Sequence, residues 1–238
     1  MKLIYIRMHR LQMVAMFSIA VVVLNFLSIR YLAKEDMENV DMSMLAGHSI
    51  VIDPGHGGID SGASRNNVIE KEITLAISNK LADVLQSHGA NVIFTRESDI
   101  DYYTRGKGGK RKDLVTRIEM METSGAELFI SVHCNAYRDA SLSGGQVFYS
   151  PKFAQNKLLA ERIQQVLMEL SPGNKRQAKE DKHILILNGN KIPGVLIETG
   201  YLTNPKEATL LSDNDYQRKL VEQIAKALAY HFSPNVVR

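Results

Sequence analysis

From about residue 48 onward, short runs of apolar residues alternate with longer segments in which apolar side chains recur every three or four positions. Short apolar runs bounded by turn residues are typical of buried strands, whereas the wider spacing is typical of amphipathic helices. We predict strands over residues 50–54, 91–95, 127–133, 145–150, 183–187 and 194–198, and helices over residues 69–88, 114–121, 153–170 and 216–232. The alternation predicts an α/β fold, with a twisted, mainly parallel sheet of about six strands and helices on both faces.

The N-terminal part of the chain has a different pattern. Leu11 to Ile29 is a run of 19 residues without a charge, about the length that crosses a bilayer as a helix. The preceding basic residues favour a cytoplasmic N-terminus. Because the run is longer than a signal-peptide core and no A-x-A site follows, we interpret residues 1–34 as a cytoplasmic stub and signal anchor, 35–47 as a linker and 48–238 as the catalytic domain. A cleaved signal peptide is the alternative, and both interpretations place the domain outside the cytoplasm.

Positive charge is concentrated in the N-terminal leader, residues 1–34. Lys2, Arg7, Arg10, Arg30 and Lys34 give residues 1–34 a charge of +5, so the net charge of +3 leaves −2 for the rest of the chain. Binding to nucleic acid phosphates requires basic charge on the folded domain. The composition therefore argues against a nucleic-acid partner.

Candidate chemistry lies where the predicted strands end. His56 follows the first strand in a glycine-rich turn, His133 ends the third strand and Glu198 ends the last one. In α/β sheets, functional residues gather at the carboxyl ends of strands. Two imidazoles and one carboxylate are a ligand set of catalytic zinc, which keeps a fourth position open. A further carboxylate, free of the metal, is then needed for proton transfer, and Glu198 is available for this.

Two glutamates compete for the place of the third ligand. At 3.6 residues per turn, Glu70 falls within the apolar stripe of the predicted helix, and Glu72 falls outside it. A carboxylate that faces the core is costly unless it is paired or bound to metal. We therefore predict Glu70 as the ligand and Glu72 as a solvated acid of the first turn.

Each of these signals alone is more typical of a structural residue than of a ligand. Cys134 follows His133, but neighbours on a strand point to opposite faces, so we do not expect it to bind metal. Asn135 and Arg96 are candidates for orienting a ligand or contacting the substrate. The basic segment of residues 105–112 is interpreted as a solvated loop or as a contact for carboxylates of a substrate or partner.

The chain resembles a known family through six stretches: IVIDPGHGGIDSGA, IEKEITL, GANVIFTRESD, AELFISVHCNA, GGQVFYS and PGVLIETGYLTNPKEATLL. They follow the order found in zinc-dependent N-acetylmuramoyl-L-alanine amidases of the amidase-3 type and cover nearly all of residues 49–232. The resemblance implies hydrolysis of the amide between N-acetylmuramic acid and L-alanine in peptidoglycan. It also implies that His56, Glu70 and His133 bind Zn²⁺ and that Glu198 is catalytic.

The N-terminal apolar segment, the lack of wall-binding repeats and the basic segment resemble the sporulation branch of that family. This resemblance implies removal of peptide stems during formation of muramic lactam in the spore cortex, by an enzyme tethered to the membrane, with room for an accessory sporulation protein. Two alternatives stay open. One is a zinc peptidase that acts within the stem peptide, and the other is a non-catalytic, membrane-tethered peptidoglycan-binding protein.

Overall fold

A computed structural model describes residues 2–103 and 109–234. The chain forms two compact units, Met1–Val40 and Asp41–Arg238. In the first unit, helix α1 spans Lys2–Glu38 and continues into the segment predicted to be a linker. Its window Leu11–Ser28 has a mean hydropathy of 2.1, and by length and composition it could cross a membrane.

The second unit begins with a short 3-10 helix, Met42–Leu45, and then alternates strands and helices. The strands are β1 (Ser49–Pro54), β2 (Ser64–Arg65), β3 (Val68–Ile69), β4 (Asn91–Phe94), β5 (Leu128–Asn135), β6 (Gln146–Tyr149), β7 (Lys179–Glu180) and β8 (Gly194–Tyr201). The helices are α2 (Glu70–Ser87), α3 (Gly109–Thr123), α4 (Ala154–Leu170), α5 (Leu185–Asn188), α6 (Pro205–Ser212) and α7 (Asn214–Phe232).

Six of these strands form one sheet in the order β4-β1-β5-β8-β6-β7, while β2 and β3 form a separate hairpin. Strands β4, β1, β5 and β8 run parallel to one another. Strand β6 is antiparallel to β8, and β7 is parallel to β6. The sheet confirms the predicted α/β class and places the carboxyl ends of β1, β5 and β8 side by side.

Helices cover both faces of the sheet. Val51, Phe129 and Leu196 of the central strands pack on one face with buried residues of α3 and α5. Because neighbouring residues of a strand point to opposite faces, Ile50, Ile130 and other residues between them point to the second face. Ile50 and Ile130 are fully buried there. Helices α2 and α4 cover this face, and α7 packs against both of them. The near-continuous apolar runs of the sequence therefore reflect burial of the strands on both faces.

The prediction of a strand over residues 183–187 was wrong. This segment contributes to the short helix α5, and the sixth strand is instead the exposed pair of residues in β7. The side chain of Asp181 accepts hydrogen bonds from the backbone N–H groups of His183 and Ile184, each at 2.7 Å, and so turns the chain before the helix. An apolar run of this length does not by itself distinguish a strand from a buried helical turn.

Helix α6 was not predicted, although its start carries a clear signal. The Asn204 side chain accepts from the backbone N–H groups of Lys206 and Glu207, and Pro205 occupies the first turn. The Glu207 carboxylate then accepts from the N–H groups of Gly144 at 2.8 Å and Tyr201 at 2.7 Å. Helix α6 thus fixes the carboxyl end of β8.

A buried ion pair fixes the carboxyl end of β1. Asp53 and Arg117 are 2% and 1% exposed, and Asp53 Oδ1 lies 3.0 Å from Arg117 Nη1. The hydroxyl groups of Thr95 and Ser131 donate to the same carboxylate. Burial raises the pKa of Asp53, but the charge of Arg117 and the two hydroxyl groups outweigh it, so the pKa lies below its ordinary value. This pair joins β1, β5, α3 and the loop after β4.

We expect Arg117→Met to lower the free energy of unfolding by about 3–5 kcal/mol, because it leaves the Asp53 carboxylate buried without its cation. Urea denaturation of the full chain in detergent, followed by circular dichroism, measures this loss. Arg218→Met removes an exposed arginine that pairs with Asp215 on α7 and is the matched control. It should change stability by less than about 0.5 kcal/mol, and equal losses in the two variants would contradict the role of the buried pair.

Candidate metal centre

The turn after β1 carries His56 in an unusual backbone conformation. His56 has a φ of 62°, and Gly57 and Gly58 also have positive φ values of 134° and 53°. A positive φ is costly for a residue with a side chain unless its surroundings enforce it. Here two buried arginines do so: Arg117 donates to the carbonyl oxygens of Pro54 and His56, and Arg96 donates to those of Pro54 and Gly55.

Glu70 begins α2 and is 4% exposed, whereas Glu72 is exposed. The burial of the two side chains is as the helical spacing predicted. Glu70 Oε2 accepts from the backbone N–H of Ala63 at 2.8 Å, and Oε1 accepts from that of Cys134 at 3.0 Å. Both carboxylate oxygens are therefore fixed by backbone donors from other segments of the chain.

The structure brings the three predicted ligands together. Glu70 Oε1 lies 3.1 Å from His56 Nε2 and 3.2 Å from His133 Nδ1. One donor atom of each residue lies within 4.8 Å of the other two. Two ligands of a tetrahedral zinc ion, each at about 2.0–2.2 Å, are themselves about 3.3–3.6 Å apart. The donor set of two imidazole nitrogens and one carboxylate oxygen, and its spacing, fit a zinc ion.

Two glycines leave room for these side chains. A Cβ at Gly55 would lie 2.3–2.6 Å from the His133 ring, and one at Gly62 would lie 2.5 Å from Glu70 Oε2 and 2.7 Å from His56 Cδ2. Gly62 also has a φ of 64°. The glycines of the DPGHGGIDSG stretch therefore serve close packing around the ligands as well as the turn itself.

Asp60 contacts the ring nitrogen of His56 that faces away from Glu70. Its Oδ2 lies 2.9 Å from His56 Nδ1, and its Oδ1 lies 2.7 Å from the Lys110 ammonium. A carboxylate on the second ring nitrogen of a metal-binding histidine fixes its tautomer and orientation. Burial lowers the pKa of His56, but hydrogen bonds to Glu70 and Asp60 outweigh this effect and raise the pKa.

The charge on Glu70 is stabilised by its neighbours. Burial alone would raise the pKa of its carboxyl group, but the hydrogen bonds and charges of His133 and His56 hold the pKa far below its ordinary value. Glu70 is therefore ionised at neutral pH, as a metal ligand must be.

Glu198 lies beside this cluster on the neighbouring strand. It pairs in register with His133, across β5 and β8. Its Oε2 atom is buried, with no hydrogen-bond partner among the described residues. Burial raises the pKa of Glu198 to about 7, and the negative charge of Glu70 adds to the effect while His133 and His56 oppose it. A carboxyl group with a pKa near neutrality is suited to take up and release a proton.

The other candidate residues take structural roles. Cys134 is buried, and its Sγ lies 3.3 Å from the Thr199 hydroxyl. Arg96 donates to the carbonyl oxygens of Pro54 and Gly55, just before His56. The backbone carbonyl of Asn135 accepts from the N–H of Leu202, beyond a register shift in β5. Within the basic segment, residues 109–112 begin α3, and residues 105–108 lie outside the described residues.

The roles of Asp53, Asp60 and Arg117 were not predicted from the sequence. Asp53 and Asp60 flank His56 in the sequence. In the structure the Asp53 carboxylate faces the core and the Asp60 carboxylate faces the His56 ring. These directions depend on the conformation of the turn and cannot be predicted from the spacing. Arg117 has a visible signal, because it interrupts the apolar positions of its helix next to Ile118. A charged residue at such a position requires a buried partner.

Comparison with known proteins places this geometry in a family. Residues 50–230 match Amidase_3, described as N-acetylmuramoyl-L-alanine amidase. The chain is 39% identical over 219 residues to the germination-specific N-acetylmuramoyl-L-alanine amidase of Bacillus subtilis, covering 88% of this chain and 92% of that protein. It is 32% identical over 182 residues to the B. subtilis N-acetylmuramoyl-L-alanine amidase LytC, covering 76% of this chain and 34% of LytC.

The fold is similar to that of the CwlD amidase from Clostridioides difficile, whose structure was solved in complex with the GerS lipoprotein. The two chains superpose with a TM-score of 0.74 at 36% identity, over 78% of this chain and 98% of the CwlD chain.

We expect Asp60→Asn to weaken Zn²⁺ binding by about 10–100-fold, because the asparagine no longer holds the His56 ring with a charged acceptor. Competition for Zn²⁺ with a chelator of known affinity measures the change. Asp215→Asn removes an exposed carboxylate of α7 and should leave the affinity unaltered. An unchanged affinity in Asp60→Asn would mean that the backbone turn alone orients His56.

Proposed function

The chain belongs to the Amidase_3 family of N-acetylmuramoyl-L-alanine amidases, and from this premise we propose that it is a zinc-dependent amidase of the spore cortex. Its substrate bond is the amide between N-acetylmuramic acid and L-alanine in peptidoglycan. The observation that carries the proposal is the convergence of His56, Glu70 and His133 at one point, with Glu198 on the adjacent strand.

His56, Glu70 and His133 would hold the zinc ion, since one donor atom of each lies within 4.8 Å of the other two. When bound, zinc would supply Lewis-acid activation of the carbonyl and of the attacking water. Asp60 and the backbone donors on Glu70 keep the ligands in place, which limits reorganisation during the reaction.

Glu198 transfers the proton. Its carboxylate takes a proton from the water that attacks the lactyl carbonyl carbon and gives it to the nitrogen of the departing L-alanine. The pKa of about 7 supports both steps, because the group is close to half protonated near neutral pH. Oε2 is buried with no partner among the described residues, so no protein donor fixes that oxygen in its ionised form.

The N-terminal segment and the relatives support a location and a partner. Helix α1 anchors the chain in the membrane, and the basic residues before its apolar window keep the N-terminus cytoplasmic. The catalytic domain then lies outside the cytoplasm, where peptidoglycan is found. The likeness to CwlD, solved with the GerS lipoprotein, supports a lipoprotein as the accessory partner.

Three glutamine variants separate the roles of the glutamates. We expect Glu198→Gln to retain zinc and to lose at least about 100-fold in turnover, since the proton acceptor is gone. Glu70→Gln should lose zinc, because a neutral amide replaces the charged ligand, while Glu72→Gln changes an exposed residue of the same helical turn and should retain both zinc and activity. Metal analysis and mass spectrometry of digested sacculi measure these outcomes. Peptides with new L-alanine amino termini identify an amidase, whereas cuts within the stem, or an active Glu198→Gln, would refute the assignment.

The cortex role predicts a specific change in spores. Removal of peptide stems from muramic acid exposes the position at which a separate deacetylase completes the muramic lactam. Spores that lack this protein should therefore contain muropeptides without muramic lactam, and a chain carrying Glu198→Gln should not restore it. Muropeptide profiles of the two spore types measure this, and normal lactam content in the mutant would exclude the cortex role.

A further inference from the structure

Lys110 connects the basic segment of residues 105–112 to the candidate metal centre. Its ammonium Nζ lies 2.7 Å from Asp60 Oδ1, and Asp60 Oδ2 lies 2.9 Å from His56 Nδ1. One carboxylate therefore bridges a lysine of α3 and a predicted metal ligand. The basic segment takes no part in the proposed reaction, and this contact links it to the site.

The direction of the Asp60 side chain depends on these two contacts. The backbone of Asp60 is fixed, because its N–H and carbonyl groups exchange hydrogen bonds of 3.0 and 2.9 Å with those of Gly57. The carboxylate has less support. Besides Lys110, the hydrogen bond to Oδ1 from the described residues comes from the Gly62 N–H, at a long 3.4 Å. Without the ammonium, Oδ1 keeps this one long hydrogen bond, and the carboxylate can turn away from the His56 ring.

The loop after β4 holds the backbone on both sides of this ion pair. Asp101 Oδ2 accepts a 2.6 Å hydrogen bond from the N–H of Ile59, the residue before Asp60. Asp113, on the helix that carries the lysine, accepts a 2.8 Å hydrogen bond from the N–H of Tyr102. An exposed ion pair is usually weak, because two flexible groups must be ordered to form it. Here both backbones are already in place, so the ordering is confined to the side chains.

We propose that Lys110 is a positioning residue of the metal centre. Its ammonium holds the Asp60 carboxylate against the His56 ring, and the fixed ring raises the affinity of the three ligands for zinc. A carboxylate on the second nitrogen of a histidine ligand orients the ring, and Lys110 in turn orients that carboxylate. The inference rests on the proposed function and adds to it a residue outside the ligand set.

The ammonium has two opposing effects on zinc binding. It orients Asp60, which favours binding, and its positive charge repels the cation, which disfavours binding. The Lys110 side chain is 70% exposed, and the Asp60 carboxylate and the His56 ring separate it from the metal position, so water and salt screen the repulsion. The contact with Asp60 acts at 2.7 Å, on a side chain that is 22% exposed. We therefore expect the orienting effect to prevail and the loss of Lys110 to weaken zinc binding.

The zinc affinities of three variants test the inference, measured on the full chain in detergent by competition with a chelator of known affinity. We expect Lys110→Gln to weaken zinc binding by about 5-fold, less than a change of Asp60 itself, because the lysine acts one contact further from the ligand. Lys110→Arg keeps a cationic donor and should retain most of the affinity. Lys112→Gln is the matched control, because it removes an exposed positive charge from the same helical turn, and it should leave the affinity unaltered. The zinc-free variants should unfold at the same urea concentration as the parent chain, because exposed ion pairs contribute little to folding.

A double-mutant cycle with Asp60→Asn identifies the route of the effect. Once Asp60 has been replaced, Lys110→Gln should cause little further loss of zinc affinity, because the charged carboxylate through which it acts is gone. A loss of the same size in both backgrounds, an equal loss in Lys112→Gln, or an unaltered affinity in Lys110→Gln would overturn the inference. Because these readouts are zinc affinities, each of those results leaves the amidase reaction standing. A parent chain whose zinc affinity depends on Lys110 as expected, but which releases no peptide from peptidoglycan, would overturn the reaction and keep the positioning role.

Discussion

The geometry of the candidate metal centre depends on the buried carboxylate of Glu70. Glu70 accepts backbone N–H groups from Ala63 and Cys134, and its Oε1 contacts the ring nitrogens of His56 and His133. These donors come from the loop after β1 and from β5, while Glu70 itself begins α2. A carboxylate at 4% exposure is tolerated only with such compensation. The Glu70 carboxylate would destabilise the fold if it were unpaired. Its partners therefore hold the loop after β1, strand β5 and the start of α2 at a common point.

The other side of the site is fixed by buried cations. Arg96 and Arg117 are 2% and 1% exposed and bind the carbonyl oxygens of the turn that carries His56. Burial, together with the charge of Arg117, lowers the pKa of Arg96 to about 10, which leaves it charged at neutral pH. Asp53 neutralises part of this charge. The strain of a positive φ at His56 is therefore offset by the hydrogen bonds that the two buried arginines donate to this turn.

Much of the fold and part of the candidate site could be predicted from the sequence, because the spacing of apolar residues reflects which side chains are buried. The strands buried on both faces, the helix that carries Glu70 and the choice of Glu70 over Glu72 all follow from the spacing of apolar residues. The failures have a common origin in local hydrogen bonding. The helix at residues 185–188 depends on Asp181, and α6 depends on Asn204; in each case a polar side chain, invisible to periodicity, decides the conformation. Arg117 was missed because the groups that it binds at the end of β1 lie 61–64 residues away in the sequence. Asp60 was missed because only the folded turn brings its carboxylate against the ring of His56, four residues away.

The burial of Glu198 at the candidate site lowers the stability of the fold when its carboxyl group ionises. Its Oε2 is buried with no partner among the described residues, and its pKa is raised to about 7. Because the carboxyl group titrates near 4.5 in the unfolded chain, folding becomes less favourable as the pH rises from there through 7. Hydrogen-bond donors around Glu198 would remove this penalty, but they would also lower its pKa and favour its ionised form. The fold instead places its donors around Glu70, which the proposed metal site needs as an ionised carboxylate, and leaves Oε2 of Glu198, the proposed proton acceptor, without them.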